Sequence, residues 1–296
     1  MNRSPQSRRF WRILGPIMGY WGIQIVTQFI VVMMIIVLNA AEVAKIIASV
    51  SEENVIEKMA ELSMRMSQIL MEHQSLASAF TALCILAFAA FFFTKDRNAE
   101  KRAQLPIQKK APSVQYIWII LFGAAFCLGL NVIIAMSGLA ARDVSYITNS
   151  AVLYSEGIVV MLVCQGIIVP VSEEMMFRGV LFKRCREQMG FWNAAFAISL
   201  LFALIHNTMT QLSYTLVLGL FLAYFYEKFG SLKAPVLLHV MVNMVSIVLT
   251  KTGVLIWMCS DFMRMAVCVV GCAFAGAVAF VRIQKIENKT EIQEEI

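Results

Sequence analysis

The chain has 296 residues, 59% hydrophobic and 15% charged, where soluble domains average about 45–50% and about 25%. An ordinary soluble enzyme is excluded, and so are disorder, a coiled coil and a collagen-like rod. The net charge of +6 does not call for nucleic acid, because the basic residues sit in short clusters between apolar runs, where they orient membrane helices.

A helix needs about 20 apolar residues to cross hydrocarbon, and a mean hydropathy of +0.73 leaves room for several. The first apolar run, residues 16–39, follows Arg3, Arg8, Arg9 and Arg12. It exceeds the 7–15 residues of a typical signal-peptide core and reads as a retained first helix. Residues 41–73 then alternate charge with an apolar stripe of Val55, Ile56, Met59, Leu62, Met66, Ile69 and Leu70. This spacing predicts an extracytoplasmic amphipathic helix, lying at the outer surface or on the other helices. A second span covers 76–94 and ends in a basic loop, 95–113. A third covers 116–139, and a polar connection with Arg142, Asp143 and Asn149 leads to a fourth at 157–182, closed by Lys183, Arg184 and Arg186. The fifth, sixth, seventh and eighth are expected at 191–206, 212–229, 234–250 and 265–281, before a charged tail. The expectation is one all-α polytopic membrane domain, 1–296, with eight helices and no internal repeat.

With both termini cytoplasmic, the inside segments hold 18 Lys and Arg and the outside segments six, with Arg178 alone inside a span. That imbalance supports this orientation. The seven cysteines, Cys84, Cys127, Cys164, Cys185, Cys259, Cys268 and Cys272, lack CxxC spacing and read as structural.

A charge at the bilayer centre costs about 2.5–3.5 kcal/mol on insertion scales and usually faces a cavity or a partner. The fourth span holds Glu173, Glu174 and Arg178 in PVSEEMMFRGVLF. Glu174 and Arg178 are four apart with the acid N-terminal, the favourable order for a helical ion pair. Glu173, about 100° around the helix, has no local partner. Of the three histidines, His73 falls in the amphipathic segment and reads as solvated surface. His206 ends the fifth span, and His239 lies on the seventh with Asn243 four residues later on the same face. One buried histidine is usually core; two, with an amide and a paired acid on three apolar helices, point to a site. At about 1.5 Å per residue, Glu173 and Asn243 lie about 15 Å from the inner boundary, His239 about 9 Å and His206 about 20 Å. The helices must tilt or start unevenly for these groups to meet.

A carboxylate and an imidazole sharing one water form a general base pair. A second histidine and an amide can donate to an oxyanion, worth about 3–4 kcal/mol per donor in favourable cases. This equipment suits water attack on a carbonyl, in a membrane that of a peptide bond. Asp96, Asp143 and Asp261 all fall in loops, so a paired-aspartate mechanism is discounted. Neither HExxH nor Gly-x-Ser-x-Gly is present. Two histidines and one carboxylate leave zinc or iron open.

Glu173-Glu174-x-x-x-Arg178, Phe202-x-x-x-His206 and His239-x-x-x-Asn243, in that order on successive apolar helices, resemble the signature of the CAAX-processing and bacteriocin-processing (CPBP, or Abi) intramembrane proteases. The resemblance covers residues 155–250, which would form the catalytic core. It implies an eight-helix endopeptidase in which Glu173 activates water together with His206. His239 and Asn243 would support the oxyanion, while Glu174 and Arg178 hold the site together. It favours a mechanism without metal, so no cofactor is expected; zinc on Glu173, His206 and His239 is the alternative. The implied partners are membrane lipid and a membrane-associated or lipidated peptide or protein. Eukaryotic members cleave after a prenylated cysteine, and bacterial members are associated with peptide maturation, self-immunity and signalling; no prenyl-binding groove is visible in this sequence. The lack of long soluble appendages suits a multi-pass protein of a bacterial plasma membrane. The competing readings are a non-catalytic immunity or binding protein on the same fold and a transporter using the same acids. The complete set of implied catalytic residues argues against the first. The lack of repeated halves argues against the second. Pro170, three residues before Glu173, is expected to loosen the backbone and admit water.

Overall fold

The computed structural model describes residues 5–51, 53–105, 107–287 and 290–291. Arg3 and Lys289, part of the basic flanks, lie outside these residues, as does the Arg8 side chain. The architecture is all-α, apart from a two-residue antiparallel pairing of β1 (Ile107–Gln108) with β2 (Thr290–Glu291).

The first apolar run forms α1 (Pro5–Leu38). The amphipathic stretch forms two helices rather than the single one expected, α2 (Ala40–Ala48) and α3 (Val55–Glu72). Asn54 makes the break: its Oδ1 accepts from the Ser51 N–H at 2.6 Å and its Nδ2 donates to the Ser49 carbonyl at 3.1 Å. Such side-chain bonds compete with helical ones. The expected apolar stripe lies wholly on α3, where Ile69 is buried and Ile56 is 83% exposed.

α4 (Gln74–Arg102) runs eight residues beyond the expected loop start. Its extra turns are charged but anchored, because Asp96 pairs with Arg184 and Glu100 with Lys183, each at 2.6 Å. α5 (Tyr116–Ser137) ends on Gly138 at φ +68°, a left-handed cap that favours glycine. Two short helices follow, α6 (Leu139–Arg142) and α7 (Val144–Leu153).

The site-bearing helix, α8 (Ile158–Arg186), is irregular. It opens into π-helical turns at Cys164–Ile168 and Met175–Phe182, on either side of an α-helical stretch, Val169–Glu174, that contains Pro170. Proline has no N–H to donate, and π turns commonly accommodate such a defect.

The fifth expected span is corrected. α9 (Phe191–Leu204) has 14 residues, about 21 Å at 1.5 Å per residue, short of a hydrocarbon crossing. The helix stops because the chain bends at residues 205–208 and starts again at Thr208, whose side chain accepts from the Gln211 N–H at 3.1 Å and caps α10 (Met209–Phe229). α11 (Lys233–Lys251), α12 (Val254–Cys259) and α13 (Phe262–Gln284) complete the chain. Among the described residues seven helices, not eight, are long and apolar enough to cross a membrane.

The start of α1 and the ends of α4, α8, α10 and α13 gather at one end of the bundle. Arg12 meets Glu187 at 2.7 Å and Arg186 meets Glu227 at 2.8 Å. Lys228 Nζ donates to the carbonyls of Gln284 and Ile286 at 3.2 Å. At the other end, Lys251 Nζ donates to the carbonyls of Tyr154 and Glu156, and the Glu156 carboxylate accepts from the Ser75 N–H at 2.8 Å. Asp143 there joins two helix starts, accepting from the N–H of Tyr146 and of Thr210. Those bonds hold its carboxyl below the usual carboxylate range.

Candidate active site

α8 places Glu173 and Glu174 side by side with different fates. Glu174 and Arg178 are both fully buried and paired at 2.8 Å, as their i, i+4 spacing predicts. Arg178 Nη2 also donates to the Gly219 carbonyl at 3.2 Å, and its guanidinium lies 4.7 Å from the centre of the Phe202 ring. The Gly219 carbonyl comes within reach because α9 and α10 pack closely: a Cβ at 219 would lie 2.8 Å from that of Ser199. A buried ion pair needs such additional partners to offset its desolvation.

His239 enters from α11. Its Nδ1 lies 2.9 Å from Glu174 Oε1; the carboxylate of an ion pair accepts, so Nδ1 carries the proton. Nε2 then lies 3.7 Å from Glu173 Oε2. Glu173 keeps 18% of its side chain exposed, while Glu174 is sealed. That exposure opens onto a cavity of about 580 Å³, lined by Glu173 and His206 and by amides and hydroxyls that include Gln24, Thr81, Gln165, Asn207 and Gln211.

His206 sits on the bend after α9 instead of within a span. Its Nδ1 is 2.9 Å from the Phe202 carbonyl, which can only accept, so Nδ1–H donates and Nε2 is the unprotonated nitrogen of the neutral ring. Phe202 is fully buried at the centre of the arrangement. Its ring meets His206 edge-on at 5.1 Å, His239 at 5.7 Å and Phe177 at 5.1 Å. It separates the histidines and stacks under the arginine.

Asn243 Nδ2 donates to the Gln165 carbonyl at 2.9 Å. In the π turn the Val169 N–H goes to the Cys164 carbonyl, and the next residue, Pro170, has no N–H. The Gln165 carbonyl is thus met by the Asn243 amide, which ties α11 to the irregular part of α8. An amide carries two donors, so one remains for other use.

Glu173, Glu174, Arg178 and His239 therefore meet directly, His206 shares the cavity with Glu173, and Asn243 braces the helix that carries both acids. His73 is exposed between α3 and α4. Among the described residues no group of three or more His, Cys, Asp or Glu side chains is arranged to hold a metal ion. Sequence reasoning passed over Gln24 and Gln165, polar residues in apolar runs and hence visible signals. The roles of Gly219 and the Phe202 ring depend on packing between helices and carried no such signal.

Residues 155–245 match the model of a protein family described as type II CAAX prenyl endopeptidase Rce1-like. The chain is also 24% identical over 138 residues to a Bacillus subtilis (strain 168) protein described as "Putative membrane peptidase YdiL". That similarity covers 46% of this chain and 57% of the relative, so the chain spans little more than half of the relative's length. No solved structure matches.

Proposed function

We propose that the chain, whose residues 155–245 match the Rce1-like type II CAAX prenyl endopeptidase model, is an intramembrane endopeptidase acting on a membrane-associated peptide or protein. The observation that carries this reading is the division of labour between adjacent acids. Glu174 is neutralised by Arg178 and held by His239, whereas Glu173 faces the polar cavity beside His206.

In this mechanism Glu173 accepts a proton from water, and the water oxygen attacks the scissile carbonyl carbon. His206 orients that water through Nε2, its Nδ1 being fixed on Phe202. Asn243 offers its second amide hydrogen to the oxyanion, and His239 joins it when Nε2 carries a proton. As the C–N bond breaks, Glu173 returns its proton to the leaving nitrogen, giving a carboxylic acid and an amine. The reading places the chain as a multi-pass protein of a bacterial plasma membrane, with the basic end cytoplasmic.

The test is cleavage of membrane-anchored peptides by protein reconstituted in vesicles. The wild type should cleave, and His206→Ala should lose activity by about 10²-fold or more while still inserting. Chelators should leave the wild type unchanged. Loss of activity on chelation, restored by zinc, would move Glu173, His206 and His239 to metal-ligand roles.

A further inference from the structure

The cavity occupies only one half of the bundle. Glu173 and His206 are on its wall, and the lining includes Gln28 of α1, Met71 of α3 and Asn149 of α7, all exposed and so at its rim. These rim residues lie at the end where α4 and α8 begin. The opposite end is where Arg12, Asp96, Arg184 and Glu187 interlock and where most of the 25 Lys and Arg residues of the sequence fall. Positive residues mark the cytoplasmic side. Glu173 lies 15 residues below the start of α8 at Ile158, about 22 Å from that end of the helix.

The lining has its own chemistry. Apart from Glu173 and His206, its polar groups are neutral amides, hydroxyls and a phenol, including Gln24, Gln74, Asn207 and Gln211. Each amide both donates and accepts, as a peptide backbone does. Among the described residues no Lys or Arg lines the cavity, so neither a guanidinium nor an ammonium group receives a free C-terminal carboxylate.

We infer that the site takes its substrate from the extracytoplasmic face, as an extended, uncharged, internal stretch of peptide. This deepens the endopeptidase reading and rests on it for the chemistry, but the direction of access stands on the cavity and the charge distribution alone. At about 3.3 Å per residue, six or seven extended residues reach from the mouth to Glu173.

Two measurements fix the direction without using activity. Trypsin added to spheroplasts should leave the basic loop at residues 95–110 intact, and added to inverted vesicles it should cut there. With a membrane-impermeant maleimide, Asn149→Cys should label in intact spheroplasts above the background of the unsubstituted chain. The reverse pattern in both overturns the inference. A third measurement uses single-span reporters carrying one uncharged segment on either side of the membrane. Cleavage of the outward-facing reporter only is the expected result. Cleavage of the inward-facing one, or equal cleavage when lysines are placed in the segment, contradicts the inference. If neither reporter is cut while the first two results hold, the endopeptidase reading fails and the direction of access survives.

Discussion

At the basic end of the bundle charges meet in pairs, the most enclosed being Arg184, which is 4% exposed against Asp96 and whose guanidinium also reaches the Arg12 carbonyl. Toward the other end, the polar groups that line the open cavity from Gln28 and Asn149 inward are neutral amides, hydroxyls and a phenol, apart from Glu173 and His206. Helix α8 belongs to both regions. Its half from Met175 onward is sealed among Phe177, Phe182 and their neighbours, while Gln165, Ser172 and Glu173 line the cavity. The boundary falls between Glu173 and Glu174. Adjacent identical side chains thus acquire different properties from the half of the molecule they face: one is committed to holding helices together and the other is open to water.

Substitutions on the sealed side should act on stability. Arg178→Ala leaves Glu174 buried without its cation, and breaking a buried pair costs about 3–5 kcal/mol. Its unfolding in detergent should shift by the largest amount of any change considered. Gly219→Ala forces a methyl against Ser199 and disturbs the carbonyl that receives Arg178. Overpacking of this kind costs about 1–3 kcal/mol, and a chemical unfolding curve measures it. The smallest effect is expected at the cavity end, at Asp143. Its carboxyl is held below its ordinary value by the Thr210 and Tyr146 N–H groups. The stability it contributes is complete above about pH 4 and is lost as pH falls through the lowered folded value. Asp143→Asn should flatten the acid limb of unfolding temperature against pH; an unchanged limb would place the acid sensitivity elsewhere.

Much of this contrast is legible in the sequence, because it follows from local rules. The Glu174–Arg178 pair follows from i, i+4 spacing, and the separation of the bundle ends from where lysines and arginines fall between apolar runs. The bend at His206 is harder to see, since residues 191–206 are mostly apolar and apolarity does not report where a helix ends. A signal was present: Thr208 and Gln211 have the spacing of an N-terminal capping box, which marks a new helix start just after the histidine. The π turns of α8 break the 3.6-residue period, so periodicity could not describe them, although Pro170 marked the place. The partner of Asn243 is a backbone carbonyl, which side-chain patterns do not reveal. The Phe202 plate between two histidines and an arginine exists only once α8, α9 and α11 are packed.

The central claim is that Glu173 reacts while Glu174 holds. Glu173→Gln and Glu174→Gln, reconstituted side by side, test it through peptide cleavage and unfolding temperature on the same samples. The account predicts that Glu173→Gln loses about 10²-fold or more of its cleavage rate at an unchanged unfolding temperature, whereas Glu174→Gln unfolds at a lower temperature. Cleavage retained by Glu173→Gln, or a loss matched by its own unfolding, would contradict it.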